Sequence, residues 1–229
     1  MALNKGDFIE IEFTGRMKDN MKVFDTNIES DAKEANLNIK VFKPFVLSIG
    51  SQMLPTGFDK DLEGKEVGKS YEVELTPEEG FGKRDKEMIK MIPTKSFLEQ
   101  KINPQRGMQL ALDCKLVRVL SNEGGRTLVD FNNPLAGRDV IYNYTIRSLV
   151  DKIEDKVNAL QDFLFKRRFN FRTEAEKVIF EVEAGASKYL EMFVPKIKEI
   201  LGCDVDVKIV EAKKDSEKKK EEETSEVAE

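Results

Sequence analysis

The chain has 229 residues, of which 40% are hydrophobic and 35% charged, a composition typical of a globular protein of one to three domains. The 43 acidic and 38 basic residues leave a net charge of −5, so charge gives no reason to expect nucleic acid as a partner. No apolar run approaches the roughly 18 residues that span a membrane, and the chain starts without a signal-peptide core. We therefore expect a cytoplasmic protein that binds neither nucleic acid nor membrane.

The amino acids that are absent or scarce exclude several classes of enzyme. The chain has no histidine, which excludes imidazole-based triads and histidine metal ligands. The two cysteines, Cys114 and Cys203, lie far apart and form no CxxC motif. Two unreactive thiols are the favoured interpretation, with a disulfide as the alternative. We predict no cofactor, no metal ion and no effect of chelators.

Alternating apolar and polar residues predict strands in the first part of the chain. Ile9, Ile11 and Phe13 alternate with Glu10 and Glu12, which places one apolar face on a core. The other predicted strands are 23–27, 45–49, 71–75 and 140–146. A short helix is predicted within 55–64, with Thr56 as its cap and Gly64 as its end. Between 114 and 129, the turn Gly124-Gly125 predicts a hairpin.

The C-terminal third predicts a different arrangement. Apolar residues at helical spacing indicate a helix that starts after a capping box of Ser148 and Asp151; they are Val150, Ile153, Val157, Leu160 and Leu164. A strand at 178–182, a helix at 186–201 that kinks or breaks at Pro195, and a strand at 205–209 follow. Residues 213–229 are almost all charged, and we predict that they are disordered.

Five short motifs occur in an order that resembles the FKBP-type peptidyl-prolyl cis-trans isomerases. They are Ile11-Glu12-Phe13-Thr14-Gly15, Val23-Phe24-Asp25-Thr26, Ile49-Gly50 through Gly57-Phe58, Asp61 through Gly68, and Glu79-Gly80-Phe81-Gly82. The interruption before Asn132-Asn133-Pro134-Leu135-Ala136-Gly137 resembles the SlyD-like subgroup, in which an insert-in-flap chaperone domain is spliced into the isomerase. The C-terminal extension resembles the archaeal long-type members.

This resemblance implies an α+β fold, with an FKBP-like antiparallel sheet wrapped around a short helix, an inserted small mainly-β domain and a C-terminal α+β domain. The implied boundaries are 1–86 plus 130–152 for the isomerase domain, 87–129 for the insert, 153–212 for the C-terminal domain and 213–229 for the charged tail.

Carried over by position, the family pattern implies a catalytic pocket for proline. Its walls would be Phe13, Phe24, Asp25, Leu54, Phe58, Phe81, Leu135 and Tyr142. Phe58 stands where many members have tryptophan, and Asn133 where the subgroup commonly has histidine. Phe81 stands where the family has a tyrosine whose hydroxyl would hydrogen-bond the substrate backbone. Pro55 lacks the backbone N–H that the family usually offers to a substrate carbonyl. Because two donors are missing, we expect a working pocket that grips its substrate more weakly.

The same resemblance implies that the insert binds unfolded or nascent polypeptides. The client-binding residues would be Met88, Ile89, Met91, Ile92, Phe97, Leu98, Met108 and Leu110, since flexible thioethers suit surfaces that accept many partners. The alternative for the methionines is ordinary core packing. The expected function is therefore isomerisation of X–Pro bonds combined with folding-chaperone activity.

Two other functions remain open from the sequence. One is a peptide-binding holdase chaperone whose isomerase pocket is weak or vestigial. The other is an assembly module that forms a homodimer through the C-terminal domain. Two strands make a sheet too thin to stand alone, and Phe169 and Phe171 lie among basic side chains, a composition found at interfaces and also in solvated linkers.

Overall fold

The computed structural model describes residues 2–39, 42–112, 115–174 and 177–210. The predicted disorder at 213–229 and the thiol of Cys114 lie outside these residues. The chain divides into two compact units, of which the first comprises Met1–Phe45 and Ile49–Leu149 and the second Val46–Ser48 and Val150–Glu229. No helix in the described ranges is long and apolar enough to cross a membrane.

The main sheet has four antiparallel neighbours in the order β2–β1–β9–β4, and a fifth strand, β3, pairs with β1. The five strands are β1 (Phe8–Met17), β2 (Val23–Thr26), β3 (Phe45–Ser48), β4 (Ser70–Leu75) and β9 (Val140–Leu149). The central pair is in a register that places Phe13 opposite Tyr144 and Gly15 opposite Tyr142. The apolar face predicted for β1 is confirmed, because Ile9 and Ile11 are fully buried and Phe13 is only 8% exposed.

Two short helices accompany this sheet. Helix α1 (Glu29–Glu34) was not predicted, because Ala32 is its only buried residue and no apolar stripe marks it. Helix α2 (Thr56–Asp61) was predicted, but Thr56 is its first residue, Pro55 occupies the N-cap position and no side chain caps it. Phe58 of α2 is fully buried and lies against Tyr144 of β9, with 4.8 Å between the ring centres. The sheet therefore packs around α2, as predicted.

A second sheet of the first unit has its own apolar core. Its strands, in the order β5–β8–β7–β6, are β5 (Ile89–Pro93), β6 (Gln109–Leu112), β7 (Lys115–Glu123) and β8 (Arg126–Asp130), and helix α3 (Thr94–Glu99) follows β5. The hairpin predicted at Gly124-Gly125 joins β7 to β8. Phe97 packs with Leu110, Val117, Val119 and Val129. This core belongs to residues close together in sequence, which favours independent folding of the segment.

The second unit contains three helices and a three-stranded sheet. Its elements are α4 (Ile153–Leu164), β10 (Asn170–Glu174), β11 (Lys177–Val182), α5 (Ala184–Glu191), α6 (Val194–Leu201) and β12 (Asp204–Ile209). Strand β11 is central, antiparallel to β10 and parallel to β12. The prediction of only two strands was wrong, because β10 is a mostly exposed edge strand with no apolar alternation. The argument that a two-stranded sheet needs a partner therefore no longer holds.

Of two details predicted for the C-terminal third, one is confirmed and the other is wrong. The break expected at Pro195 is confirmed, since the chain forms two helices there and Pro195 lies in the first turn of α6. The capping box of Ser148 and Asp151 is wrong. Ser148 belongs to β9, where its hydroxyl donates to Glu10, and helix α4 begins after Lys152 without a side-chain cap.

Candidate active site

Five aromatic side chains form one connected cluster in the first unit. The ring of Tyr142 lies 4.7 Å from that of Phe58, 5.6 Å from Phe24 and 5.9 Å from Phe13, measured between ring centres. The ring of Phe81 joins at 5.7 Å from Phe24. Most of these contacts are edge-to-face, the geometry that aromatic pairs prefer. Five of the eight predicted pocket residues are therefore brought together by the fold.

Burial divides this cluster into a floor and a rim. Phe58 is fully buried, and Tyr142 and Phe13 are 3% and 8% exposed. Phe24 lies in β2 and Phe81 in the loop after β4, and both are half-buried. A ligand that reaches the cluster from solvent would therefore meet Phe24 and Phe81 before the buried rings.

An irregularity in strand pairing aims Phe24 at the cluster. Gly15 pairs with Asp25 while the next residue of β1, Arg16, pairs with Val23, so Phe24 is an extra residue in β2. A bulge of this kind re-aims a side chain that would otherwise follow the alternation of the strand. Gly15 pairs with Asp25 on one side and with Tyr142 on the other, so these three residues lie side by side in the sheet. The bulge allows the ring of Phe24, the residue before Asp25, to reach Tyr142 as well.

Asp25 places a carboxylate beside this apolar cluster. The residue as a whole is exposed to solvent, yet the surrounding protein removes water from its carboxyl group, and this desolvation raises the pKa of Asp25 above its usual value. Desolvation, followed by repulsion from the charge of Asp25, also raises the pKa of Tyr142. The phenol of Tyr142 therefore stays protonated at physiological pH, and the charge of Asp25 contributes to this shift.

Gly15 is a part of the site that sequence reasoning did not single out. A Cβ atom at Gly15 would lie 2.7 Å from Cζ of Phe24 and 2.8 Å from Cε1 of Tyr142. Such distances are far below the 3.5–4.0 Å of ordinary carbon contacts. Glycine at this position is what lets the two rings close over β1.

We predict that Gly15→Ala lowers kcat/KM for a short proline peptide by about tenfold, a loss of about 1.4 kcal/mol in transition-state stabilisation. The added methyl group must push the rings of Phe24 and Tyr142 away from residue 15 and so disturb their arrangement. Gly185→Ala in α5 is the matched control, since a Cβ there meets nothing within 4 Å. A Gly15→Ala enzyme with normal kcat/KM would show that the ring arrangement does not matter for turnover.

Two further residues missed from the sequence hold the backbone of Phe13. The side-chain oxygen of Asn27 accepts a hydrogen bond of 2.7 Å from the N–H of Phe13, and its amide donates to the carbonyl of Ile11. The hydroxyl of Thr26 donates to the carbonyl of Phe13 at 2.9 Å. Both residues follow the Phe24-Asp25 pair directly, so they fix β2 against β1 while presenting that pair. Thr26 is the last residue of the motif that starts at Val23, and Asn27 directly follows it.

The two leucines predicted for the pocket lie in loops. Leu54 precedes α2 and is half-buried, in a loop whose N–H groups at Gly50 and Gln52 donate to the buried carboxylate of Asp59. Leu135 is also half-buried. Its loop is tied to the residue after Phe81 by a hydrogen bond of 2.8 Å from the N–H of Gly137 to the carbonyl of Gly82.

Burial corrects the predicted client-binding set. Phe97 and Leu110 are 3% and 8% exposed and form the core of the second sheet, and Ile92 packs against that core. Adjacent strand residues point to opposite faces, which explains why Met91 is 60% exposed beside Ile92. Leu98 and Met108 are exposed as predicted, whereas Met88 and Ile89 are half-buried. Leu116, which was not predicted, is 53% exposed.

A polar clamp joins the two ends of the second sheet to the main sheet. Asp130 accepts two hydrogen bonds from Arg84, at 3.0 and 2.6 Å, and two from Asn132, one from its side-chain amide and one from its backbone N–H. Burial alone would raise the pKa of Asp130, but the hydrogen bonds from Asn132 and the pairing with Arg84 outweigh it and lower that pKa. Asn132 also exchanges hydrogen bonds with the backbone of Asp85. The chain therefore leaves and re-enters the main sheet at neighbouring points.

Within the described ranges, no group of three or more cysteine, aspartate and glutamate side chains could hold a metal ion. The aromatic cluster likewise offers no nucleophile paired with a base. What it offers chemically is an apolar surface, partly open to solvent, with one carboxylate nearby.

Two protein-family models match parts of the chain. Residues 1–103 match the model of the FKBP-type peptidyl-prolyl cis-trans isomerase family, and residues 90–135 match the FKBP26 IF domain. The chain is 29% identical to the short-type peptidyl-prolyl cis-trans isomerase of Methanocaldococcus jannaschii over 64% of this chain and 94% of that protein. It is 28% identical to the FKBP-type isomerase SlyD of Haemophilus influenzae over 64% of this chain and 72% of that protein. The chain therefore contains an FKBP-type peptidyl-prolyl cis-trans isomerase domain together with an IF domain.

Proposed function

We propose that the aromatic cluster is the place where this isomerase binds and rotates X–Pro bonds of polypeptides. The eight residues of the proposed pocket are Phe13, Phe24, Asp25, Leu54, Phe58, Phe81, Leu135 and Tyr142. The observation that carries the proposal is the connected cluster with a buried floor of Phe13, Phe58 and Tyr142 and a half-buried rim of Phe24 and Phe81. Proline-containing polypeptides are the substrates that the family implies.

The chemistry needs no proton transfer. Rotation about an X–Pro amide must break C–N conjugation and meets a barrier of about 18–20 kcal/mol. The twisted transition state has lost much of the amide's dipolar character, so an apolar surface favours it over the planar, better-hydrated ground state. Each tenfold gain in rate requires a preference of only about 1.4 kcal/mol. Rings packed as closely as Phe24 and Tyr142 provide such a surface.

Asp25 has an electrostatic part in this proposal. Its carboxyl group is desolvated beside Tyr142, and a desolvated charge acts more strongly on nearby dipoles than a hydrated one. It would orient the carbonyl that precedes proline as the amide twists. Pro55 has no N–H, and Phe81 has no hydroxyl, so the substrate backbone loses two donors. The pocket would therefore rely on apolar contact and on Asp25.

We further propose that the IF domain holds unfolded polypeptide beside this pocket. Four of its apolar side chains are exposed although the domain has a separate core: Met91, Leu98, Met108 and Leu116. Exposed methionine suits a surface that accepts different sequences. The junction residues Asp85 and Asn132 connect this surface to the loop that carries Leu135.

Two assays on the full chain test the proposal together. Protease-free isomerisation of a short proline peptide measures the pocket, and suppression of aggregation of a denatured protein measures client binding. We expect both activities. Suppression without isomerisation would favour the holdase alternative, and isomerisation without suppression would remove the chaperone from the proposal.

Self-association through the second unit is a separate proposal with its own observation. An aromatic cluster at the surface of that unit contains Phe165, Phe169, Tyr189 and Phe193, with Tyr189 50% exposed and the adjacent Met192 77% exposed. Aromatic residues, methionine and arginine are enriched at interfaces, and Arg167 lies over the ring of Phe169. Self-association is tested by measuring the mass in solution of the full chain and of a truncation that ends at Asp151. A monomeric full chain at micromolar concentration would contradict it.

A further inference from the structure

A cleft in the first unit carries an unusual concentration of arginine. It has a volume of about 680 Å³ and lies between β7 of the IF domain and the loop 132–138. This volume is within the roughly 300–1,000 Å³ of typical ligand sites. Four of the side chains that line it are arginines: Arg84, Arg106, Arg118 and Arg138.

The charges of this arginine cleft do not cancel. Only two acidic residues line it, and each is already paired: Asp130 with Arg84 and Asp19 with Arg138. Arg106 and Arg118 have no ion-pair partner in the described part of the chain. The cleft is therefore positive although the chain as a whole carries a net charge of −5. A concave surface of one charge raises the local concentration of ligands of the opposite charge.

The arginine cleft also has an apolar wall and shares a loop with the proposed proline pocket. Leu116 and Leu120 of β7 are among the residues that line the cleft, and Leu116 is 53% exposed. On the opposite wall lie Pro134 and Ala136, the two neighbours of Leu135 in sequence. A polypeptide bound at Leu135 thus has this cleft beside it.

We infer that the arginine cleft binds acidic segments of client polypeptides and thereby directs the isomerase towards prolines flanked by glutamate or aspartate. The inference rests on the proposed function, because the acidic segment acts by holding its proline at the aromatic cluster. Polypeptide is favoured over nucleic acid as the occupant because apolar side chains share the cleft with the arginines and because polypeptides are this enzyme's substrates. Carboxylates pair with arginine in a two-pronged geometry that neither lysine nor a neutral side chain reproduces.

Paired peptides test this inference. Two proline peptides differ only in whether a short run beside the proline is glutamate or glutamine, and kcat/KM is measured for each at low and high salt. One exposed arginine–carboxylate pair changes binding by about two- to fivefold, so we expect the wild-type enzyme to prefer the glutamate peptide by about fivefold. The preference should fall as salt rises, since the Debye length shrinks to about 3 Å at 1 M.

The double variant Arg106→Gln/Arg118→Gln should remove this preference while leaving kcat/KM for the glutamine peptide unchanged. Arg84 and Arg138 are left in place because removing either would leave Asp130 or Asp19 without its partner. Arg126→Gln is the matched control: Arg126 lies on β8 of the same sheet, is exposed, and does not line the cleft. It should keep the preference.

Each other outcome is decisive. Equal kcat/KM for both peptides, or a preference that persists in the double variant, would overturn the inference while leaving the isomerase pocket intact. If the wild-type enzyme isomerised neither peptide, the result would instead contradict the proposed function. Stronger inhibition by a single-stranded oligonucleotide than by polyglutamate would show that the cleft takes nucleic acid, and would also overturn the inference.

Discussion

Replacement of residues 87–129 by a short loop is expected to leave isomerisation of short proline peptides intact and to reduce the acceleration of proline-limited refolding by roughly 100-fold. Uncatalysed proline steps take about 10–100 s, and a client held beside the pocket gains an effective concentration that a free client lacks. The deletion removes the exposed Met91, Leu98, Met108 and Leu116 together with the core that supports them.

The two ends of the deleted segment lie close together in the structure. Asp85 and Asn132 are joined by hydrogen bonds of 2.9 and 2.8 Å, so a loop of a few residues can bridge the cut ends. The Arg84–Asp130 pair remains on the isomerase side of the cut. Peptide turnover and the refolding rate of a proline-limited protein are the two measurements, with circular dichroism to confirm that the shortened chain is folded.

A second variant tests whether the exposed apolar side chains of the IF domain, and not only the presence of the domain, are needed to hold clients. In this variant, serine replaces the four exposed apolar residues, and the buried core of Phe97, Val117, Val119 and Val129 is left unchanged. It should lose refolding activity nearly as far as the deletion does. If the deletion lost both activities equally, the IF domain would be part of the catalytic pocket. If refolding were unaffected, clients would be held elsewhere.

Phe24→Ala is expected to lower kcat/KM for a short proline peptide by at least about tenfold, equivalent to about 1.4 kcal/mol. The ring of Phe24 bridges Phe81 and Tyr142 at 5.7 and 5.6 Å. Its removal opens the rim of the cluster and lets water reach a twisted amide. Because Phe24 is only half-buried, its truncation should cost less than the about 3–5 kcal/mol of a fully buried phenylalanine.

The control for this variant is a phenylalanine of similar burial far from the cluster in sequence. Phe171 of β10 is half-buried against Phe180, with 6.0 Å between the ring centres. Phe171→Ala should lower the free energy of unfolding, measured by denaturant, without changing peptide turnover. Tyr142→Ala should affect both quantities, since Tyr142 is buried and contacts three rings. A folded Phe24→Ala enzyme with full activity would refute the pocket assignment.

Strong local patterns allowed much of the fold to be predicted. Alternation marked β1, β4 and β9 because one face of each is buried and the other polar. Pro195 marked the boundary between α5 and α6, since proline cannot continue a helix. Elements without such a pattern were missed, as with α1 and the edge strand β10. Ser148 was misread because its pairing partner in the sheet lies at Glu10, far away in sequence.

By itself, the sequence determined which residue types the site could use. The absence of histidine excluded imidazole-based catalysis, and the five motifs in their order carried the resemblance that implies an apolar aromatic pocket. These features are local, so they are visible without knowing where the chain folds back on itself. The α+β class was implied by the family resemblance that these motifs carry.

Only the tertiary structure decided how those residues meet. The bulge that turns Phe24 towards Tyr142 depends on the register between β1 and β2, and the need for glycine at position 15 depends on two rings from other strands. Phe97 and Leu110 became core because the strands around them pair with one face inward. Arg84, Arg106, Arg118 and Arg138 are far apart in sequence and converge on one cleft. Such contacts depend on register and on the closure of long loops, and no local pattern of residues encodes them.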